Sequence, residues 1–153
     1  MAKQSAGIVL YRRSRGELQV FLVHPGGPFW MKKDLGAWSI PKGQYAVGDD
    51  PLVEAKREFV EETGFEPPAG TLHPLGEVTL ASGKVVKAWA VEGDCDAVAI
   101  RSNTFSMEWP PKSGKHQDFP EVDRAQWFSL EGARDKINPA QIPFLDRLKN
   151  SVT

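Results

Sequence analysis

An α/β or α+β sandwich is the fold class this sequence predicts, because strand-like segments are mixed with a few helical ones. Three observations carry that expectation. Two pairs of apolar, β-branched stretches are each joined by a short polar turn. One segment carries a full set of helix start and stop signals, and the last part of the chain reads as helical.

Taken in order, Ala6–Tyr11 (AGIVLY) and Leu18–Val23 (LQVFLV) form the first predicted hairpin, with Arg13-Ser14-Arg15-Gly16 as its turn. HPGGPFW, from His24 to Trp30, holds too much Gly and Pro for a regular element. A short apolar piece, Trp38–Ile40, then leads into Pro41-Lys42-Gly43. The next segment predicts a helix over Pro51–Thr63: Asp50 suits the N-cap, Pro51 the first helical position and Gly64 the C-terminal stop. Val78–Ala81 and Val85–Val91 give a second hairpin around Ser82-Gly83-Lys84. From Gly93 to Pro120 the pattern is irregular, and loops of that length are usually functional or mobile. Ala125–Phe128 reads as a short strand. Helical pieces follow over Leu130–Ile137 and from Asn138-Pro139 to Leu148.

With 153 residues and no internal repeat or linker, the chain is expected to form one domain over residues 1–153. A net charge of −1 gives no basic excess, which argues against general nucleic-acid binding and leaves only a local phosphate-binding patch open. Cys95 is the single cysteine, so no internal disulfide forms. The start lacks the apolar core of a signal peptide, and no apolar run approaches the ~18 residues of a membrane span. A soluble, cytoplasmic protein with no membrane contact is the expectation. The sequence leaves its oligomeric state open.

Chemistry concentrates on the predicted Pro51–Thr63 helix, which carries Glu54, Glu58, Glu61 and Glu62. Residues three and four apart share a helix face, so Glu58, Glu61 and Glu62 cluster, with Glu54 one turn earlier. Leu52, Ala55 and Phe59 fall on another side and are expected to face the core. Such like charges repel by a few tenths of a kcal/mol per pair in water, and a divalent cation turns that repulsion into attraction. Arg57, four residues before Glu61, is placed to orient its carboxylate through a forked hydrogen bond. Taken alone, these carboxylates describe a solvated, Glu-rich helix better than a metal site.

The wider pattern decides between the two. Gly43-Gln-Tyr-Ala-Val-Gly-Asp49 is followed, after seven residues, by Arg57-Glu58-Phe59-Val60-Glu61-Glu62-Thr63-Gly64-Phe65. This resembles the Nudix box, G-x5-E-x7-R-E-U-x-E-E-x-G-U with U a bulky apolar residue. Every defined position matches except Asp49, where the family has Glu; the carboxylate is kept but shortened. The resemblance implies a mixed-sheet α/β/α sandwich with the box as loop–helix–loop. It also implies hydrolysis of a nucleoside diphosphate linked to another moiety, water attacking phosphorus. Glu58, Glu61 and Glu62 would hold Mg²⁺ or Mn²⁺, with the main-chain carbonyl of Lys42 a further ligand. The family places its general base variously, within the box or on a later loop.

Outside the box, Glu121 stands six residues before Trp127. In MutT-type relatives a glutamate so placed completes the metal site or acts as base; otherwise it is a surface carboxylate. Trp38-Ser39-Ile40-Pro41-Lys42-Gly43 resembles the approach to the box in dinucleoside polyphosphate hydrolases and decapping enzymes, and Lys42 there would meet a phosphate as a point charge. Against a diadenosine polyphosphate substrate, the tyrosine such enzymes often carry beyond the box is missing, with Leu80-Ala81-Ser82-Gly83 in its place. The proline that marks many ADP-ribose hydrolases is missing as well. Trp109, Lys112 and Lys115 offer a stacking ring and cations for a substrate clamp, although aromatics are more often packing groups. His24 and His116 are too isolated to be read as zinc ligands, and Cys95 has no motif around it.

The leading reading is therefore an enzyme acting on a small nucleotide. Its competitor is a binding or sensor module of the same fold without turnover. Such modules usually lose box carboxylates, and this chain keeps Glu58, Glu61 and Glu62.

Overall fold

The computed structural model describes residues 3–153. The chain runs β1 (Gln4–Ser14), β2 (Glu17–Pro25), β3 (Lys42–Gln44), α1 (Pro51–Thr63), β4 (His73–Thr79), β5 (Val85–Glu92), β6 (Thr104–Glu108), β7 (His116–Pro120), β8 (Val122–Ser129), α2 (Leu130–Lys136) and α3 (Ile142–Val152). The main sheet has the order β4-β5-β1-β2-β8, with β3 also on β1. β1 and β5 are parallel and the other pairs antiparallel, so the sheet is mixed. Among the described residues, no helix is long and apolar enough to cross a membrane.

Alternation along the central strands builds two cores. Ile8 and Leu10 of β1, with Phe21 and Val23 of β2, join Ala55 and Phe59 of α1 on one face. Their neighbours Val9, Tyr11, Val20 and Leu22 join Ala133 of α2 and Phe144, Leu145 and Leu148 of α3 on the other. Period-two patterning thus buries both faces of the sheet and yields the expected α/β/α layering. Of the three apolar α1 residues, Ala55 and Phe59 are buried, while Leu52 is only half-buried.

One feature of β1 creates the room for a site. β2 pairs with its end, Tyr11–Ser14, while β3 pairs with its beginning, Ser5–Gly7. Beyond Tyr11 towards the start of β1, the Ser39–Pro41 segment lies between β1 and β2: Ser39 bridges Val23, and the Pro41 carbonyl accepts from the Ile8 N–H at 3.1 Å.

The irregular stretch expected over Gly93–Pro120 proves more ordered. It contains a 3-10 turn at Ala97–Ala99 and a two-stranded sheet, β6 with β7, separate from the main one. Its strands pair only with each other and stay largely exposed apart from inward groups such as Phe105 and Phe119 (ring centroids 6.1 Å apart), so their hydrophobic signal is weak. The final helical piece is also divided: Pro139–Gln141 form a 3-10 turn before α3 begins.

Candidate active site

α1 begins and ends where its sequence dictates. The Asp50 side chain accepts from the N–H groups of Leu52 and Val53, and Gly64 takes a left-handed conformation (φ 79°) that lets its N–H bond the Val60 carbonyl. With the helix fixed against β1 and β3, Glu58 is turned inward and buried. Gly43 of β3 makes that possible, since a Cβ at this position would overlap the Glu58 carboxylate. The Lys42 N–H donates to Glu62 Oε1 at 3.3 Å, which brings this peptide to the edge of the same group.

Glu121, at the junction of β7 and β8, completes the constellation. Carboxylate oxygens of Glu58, Glu62 and Glu121 all lie within 4.8 Å of one another. Glu61 is just outside this trio and faces Arg57, whose guanidinium is a three-way fork: Nη1 bonds Glu61 at 2.6 Å, Nη2 bonds Glu58 at 3.0 Å and Nε bonds Glu54 at 2.7 Å. Arg57 therefore orients three carboxylates, more than the single contact with Glu61 that its spacing suggested.

The carboxylates of Glu58, Glu62 and Glu121 hold protons more tightly than exposed ones. Burial pushes Glu62 up to about 8, reinforced by Glu58 and Glu121 and opposed by the Lys42 charge and N–H. Burial and the charge of Glu61 likewise raise Glu58 and Glu121. Burial lowers the proton affinity of Lys42, with Glu62 pulling it partly back. Clustered, partly buried carboxylates with raised proton affinity fit an oxygen-liganded hard divalent cation, whose charge would relieve both the repulsion and the desolvation.

The remaining expected residues are not at this cluster. Trp109, Lys112 and Lys115 gather at the β6–β7 turn, where both lysines are exposed and Lys112 has φ 61°. That turn lies at the far end of β7 from Glu121, with roughly 20 Å of extended chain between Lys115 and Glu121. The Trp109 ring meets Phe29 edge-on at 5.4 Å, so the hairpin tip rests on the HPGGPFW loop. Asp49, in the family's Glu position, accepts from the Ala46 N–H at 3.3 Å within its own exposed loop. Burial raises the Cys95 thiol to about 11, consistent with an inert side chain.

Sequence reasoning missed two contributors: Gly26, whose N–H bonds the Glu121 carbonyl at 2.9 Å, and Asn103, whose carbonyl accepts from the Glu121 N–H at 2.8 Å and whose own N–H bonds the Glu61 carbonyl. Gly43 was visible as a box position, but its steric purpose needs the neighbouring helix.

Comparison with known proteins agrees with this architecture. The family model described as the NUDIX domain matches residues 1–148. No curated protein matches the chain significantly. Among solved structures, the NUDIX domain of Shewanella oneidensis NrtR complexed with ADP ribose superposes with a TM-score of 0.69 at 17% identity, covering 100% of this chain and 90% of that one. The C. elegans Ap4A hydrolase gives 0.65 at 23% identity, with 100% of both chains covered. The MutT protein from Methanosarcina mazei Go1 gives 0.62 at 18% identity, covering 97% and 94%. At these identities the likeness is one of fold.

Proposed function

The chain belongs to the Nudix family and is a hydrolase acting on phosphoanhydride bonds, and from that premise we propose that it is a divalent-metal-dependent pyrophosphohydrolase of a nucleoside polyphosphate or a related nucleoside diphosphate derivative. The observation that carries this reading is the approach of Glu58, Glu62 and Glu121 to within 4.8 Å. Mg²⁺, or Mn²⁺ in its place, would be held by these three, with Glu61 and the Lys42 carbonyl as further ligands. When bound, it would polarise the pyrophosphate and offset charge building on the leaving phosphate.

The chain's own groups divide the rest of the work. Arg57 keeps Glu58 and Glu61 in fixed orientations, so little reorganisation is needed during reaction. Lys42, beside Glu62, offers a cation to a substrate phosphate. Water attacks phosphorus, and the bridging P–O bond breaks with its oxygen leaving on the departing phosphate. Glu121, which comes from the β7–β8 junction and not from α1, accepts the proton that the water gives up through the carboxylate oxygen not turned to the cation. Trp109, Lys112 and Lys115 would meet the distal part of an extended substrate. A single domain over residues 1–153, working in the cytoplasm on a small nucleotide, completes the proposal. A sensor without turnover is disfavoured by the intact carboxylate set.

Phosphate release across a panel of nucleoside triphosphates, dinucleoside polyphosphates and nucleotide sugars, with Mg²⁺, Mn²⁺ or EDTA, tests this directly. Glu62→Gln should cut kcat by at least about 10²-fold while the protein stays folded. Turnover that persists in EDTA, or in the folded variant, removes the metal from the reaction. Lys112→Ala with Lys115→Ala should raise KM more than it lowers kcat, because a contact with the distal substrate is mainly uniform binding. An unchanged KM would leave the hairpin tip outside the substrate site.

A further inference from the structure

Building on the reading of Glu58, Glu62 and Glu121 as a metal set, we propose that His24 is a positioning residue that aims Glu121 at the two helix carboxylates. His24 is completely buried, yet both ring nitrogens have polar partners: Nδ1 lies 2.8 Å from Asp123 Oδ1 and Nε2 lies 2.6 Å from the Lys33 carbonyl oxygen. Each ring nitrogen thus lies within hydrogen-bond distance of an oxygen, one from a side chain and one from the main chain. It is thereby a two-ended tie between the loop that leaves β2 and the strand that follows Glu121.

The place where it ties is a fault in the sheet. His24 pairs with Arg124, but the next residue, Pro25, pairs with Val122, so Asp123 is the extra residue of a bulge in β8. Bulges redirect side chains and recur beside active sites. Here the extra residue sends its carboxylate to His24, and Glu121 sits two residues upstream at the point where the strand changes course. Gly26 continues the same clamp: its N–H bonds the Glu121 carbonyl, and a Cβ on it would overlap the Pro120 carbonyl. The His24 ring also meets the edge of Trp38 at 5.2 Å, which couples the clamp to the segment leading into Lys42 and Gly43. A histidine present only to fill volume would not need a carboxylate drawn out of a strand bulge.

Two substitutions separate positioning from packing. His24→Phe keeps a ring of similar size and removes both nitrogens, whereas His24→Gln keeps a polar end that can hydrogen-bond. Mn²⁺ titrated into each full-length protein, followed by the EPR signal of the free ion, should show affinity weakened roughly 10- to 100-fold in His24→Phe and less in His24→Gln, as for loss of groups that orient metal ligands. In a nucleotide hydrolysis assay kcat should fall in the same order, with KM changing less than about threefold. Asp123→Asn carries the same prediction, and carries it alone if His24→Phe fails to fold. Wild-type Mn²⁺ affinity in any of these folded variants except His24→Gln overturns the positioning role while leaving the metal reading intact. A wild-type protein that itself binds no Mn²⁺ overturns the metal reading, and this proposal with it.

Discussion

Glu62 shows most sharply what the site costs the fold. Its carboxyl is pushed from an ordinary value near 4.5 to about 8, chiefly by burial, and Lys42 only partly offsets this. A carboxyl whose proton affinity is raised on folding contributes stability that is full below its unfolded value and lost as pH rises through its folded one. For Glu62 that window runs from about 4.5 to about 8. Glutamine has nearly the same shape and no charge to desolvate. In EDTA, urea unfolding should therefore find Glu62→Gln close to the wild type at pH 5 and more stable than it at pH 8. An equal or lower stability of the variant at pH 8 would mean that Lys42 loses more from the missing partner than the carboxylate costs. The same logic separates this residue from Arg57, whose exposed guanidinium is stabilised as a cation by Glu54 and Glu61 and holds their carboxylates without demanding a metal.

At the scale of elements, legibility in the sequence follows how local the determinants are. The limits of α1 were readable to the residue because Asp50, Pro51 and Gly64 act within one turn of the helix ends. The β1–β2 hairpin was readable because both strands are nearly continuous apolar runs buried on both faces, and β5 was readable from a similar apolar run. β4, however, starts at His73, and the expected Val78–Ala81 met only its last two residues, because much of β4 is exposed. β3 was missed, being three residues long and defined only by its partner. β6 and β7 were missed because they bury little beyond the Phe105–Phe119 pair. Likewise the glutamates of α1 were visible as one face of a helix, and Glu121 through its spacing to Trp127. The His24–Asp123 link, by contrast, joins residues 99 apart through a strand bulge that no local pattern announces. β3 and α1 also constrain each other through one missing atom. Gly43→Ala places a methyl where the Glu58 carboxylate sits, so either β3 lifts away from α1 or Glu58 leaves the cluster. Overpacking of this kind should cost about 1–3 kcal/mol in urea unfolding. Activity should fall at least about tenfold, comparable with a loss of ligand orientation. Wild-type values of both would show that β3 yields freely and that Glu58 does not depend on its close approach.

The molecule as a whole joins these scales through its layers. α2 and α3 cover one face of the mixed sheet, α1 covers the other beside the Cys95–Ile100 segment, and the β7–β8 junction brings Glu121 to the carboxylates of α1. Carboxylates from two distant parts of the chain are thus forced together by the same packing that stabilises the sandwich, and folding without a cation must hold that charge in place. Metal binding and folding are consequently linked, because a ligand that binds only the folded state stabilises it by an amount set by its concentration relative to its affinity. A saturating cation at 100 times its dissociation constant adds about 2.7 kcal/mol, which for a chain of this size raises Tm by roughly 5–10 °C. Protons compete for the same oxygens. Below about 8, Glu62 must release a proton for each cation bound, so affinity should fall by up to about tenfold per pH unit. The rise in Tm on adding Mn²⁺ should accordingly be several degrees at pH 8 and largely gone at pH 6 for the same total metal. Glu62→Gln should flatten that difference, having no proton to displace. Thermal unfolding of both proteins at the two pH values, with Mn²⁺ and with EDTA, measures it. A Mn²⁺ effect in the wild type that does not change between pH 6 and pH 8 would place the cation on groups other than this buried cluster.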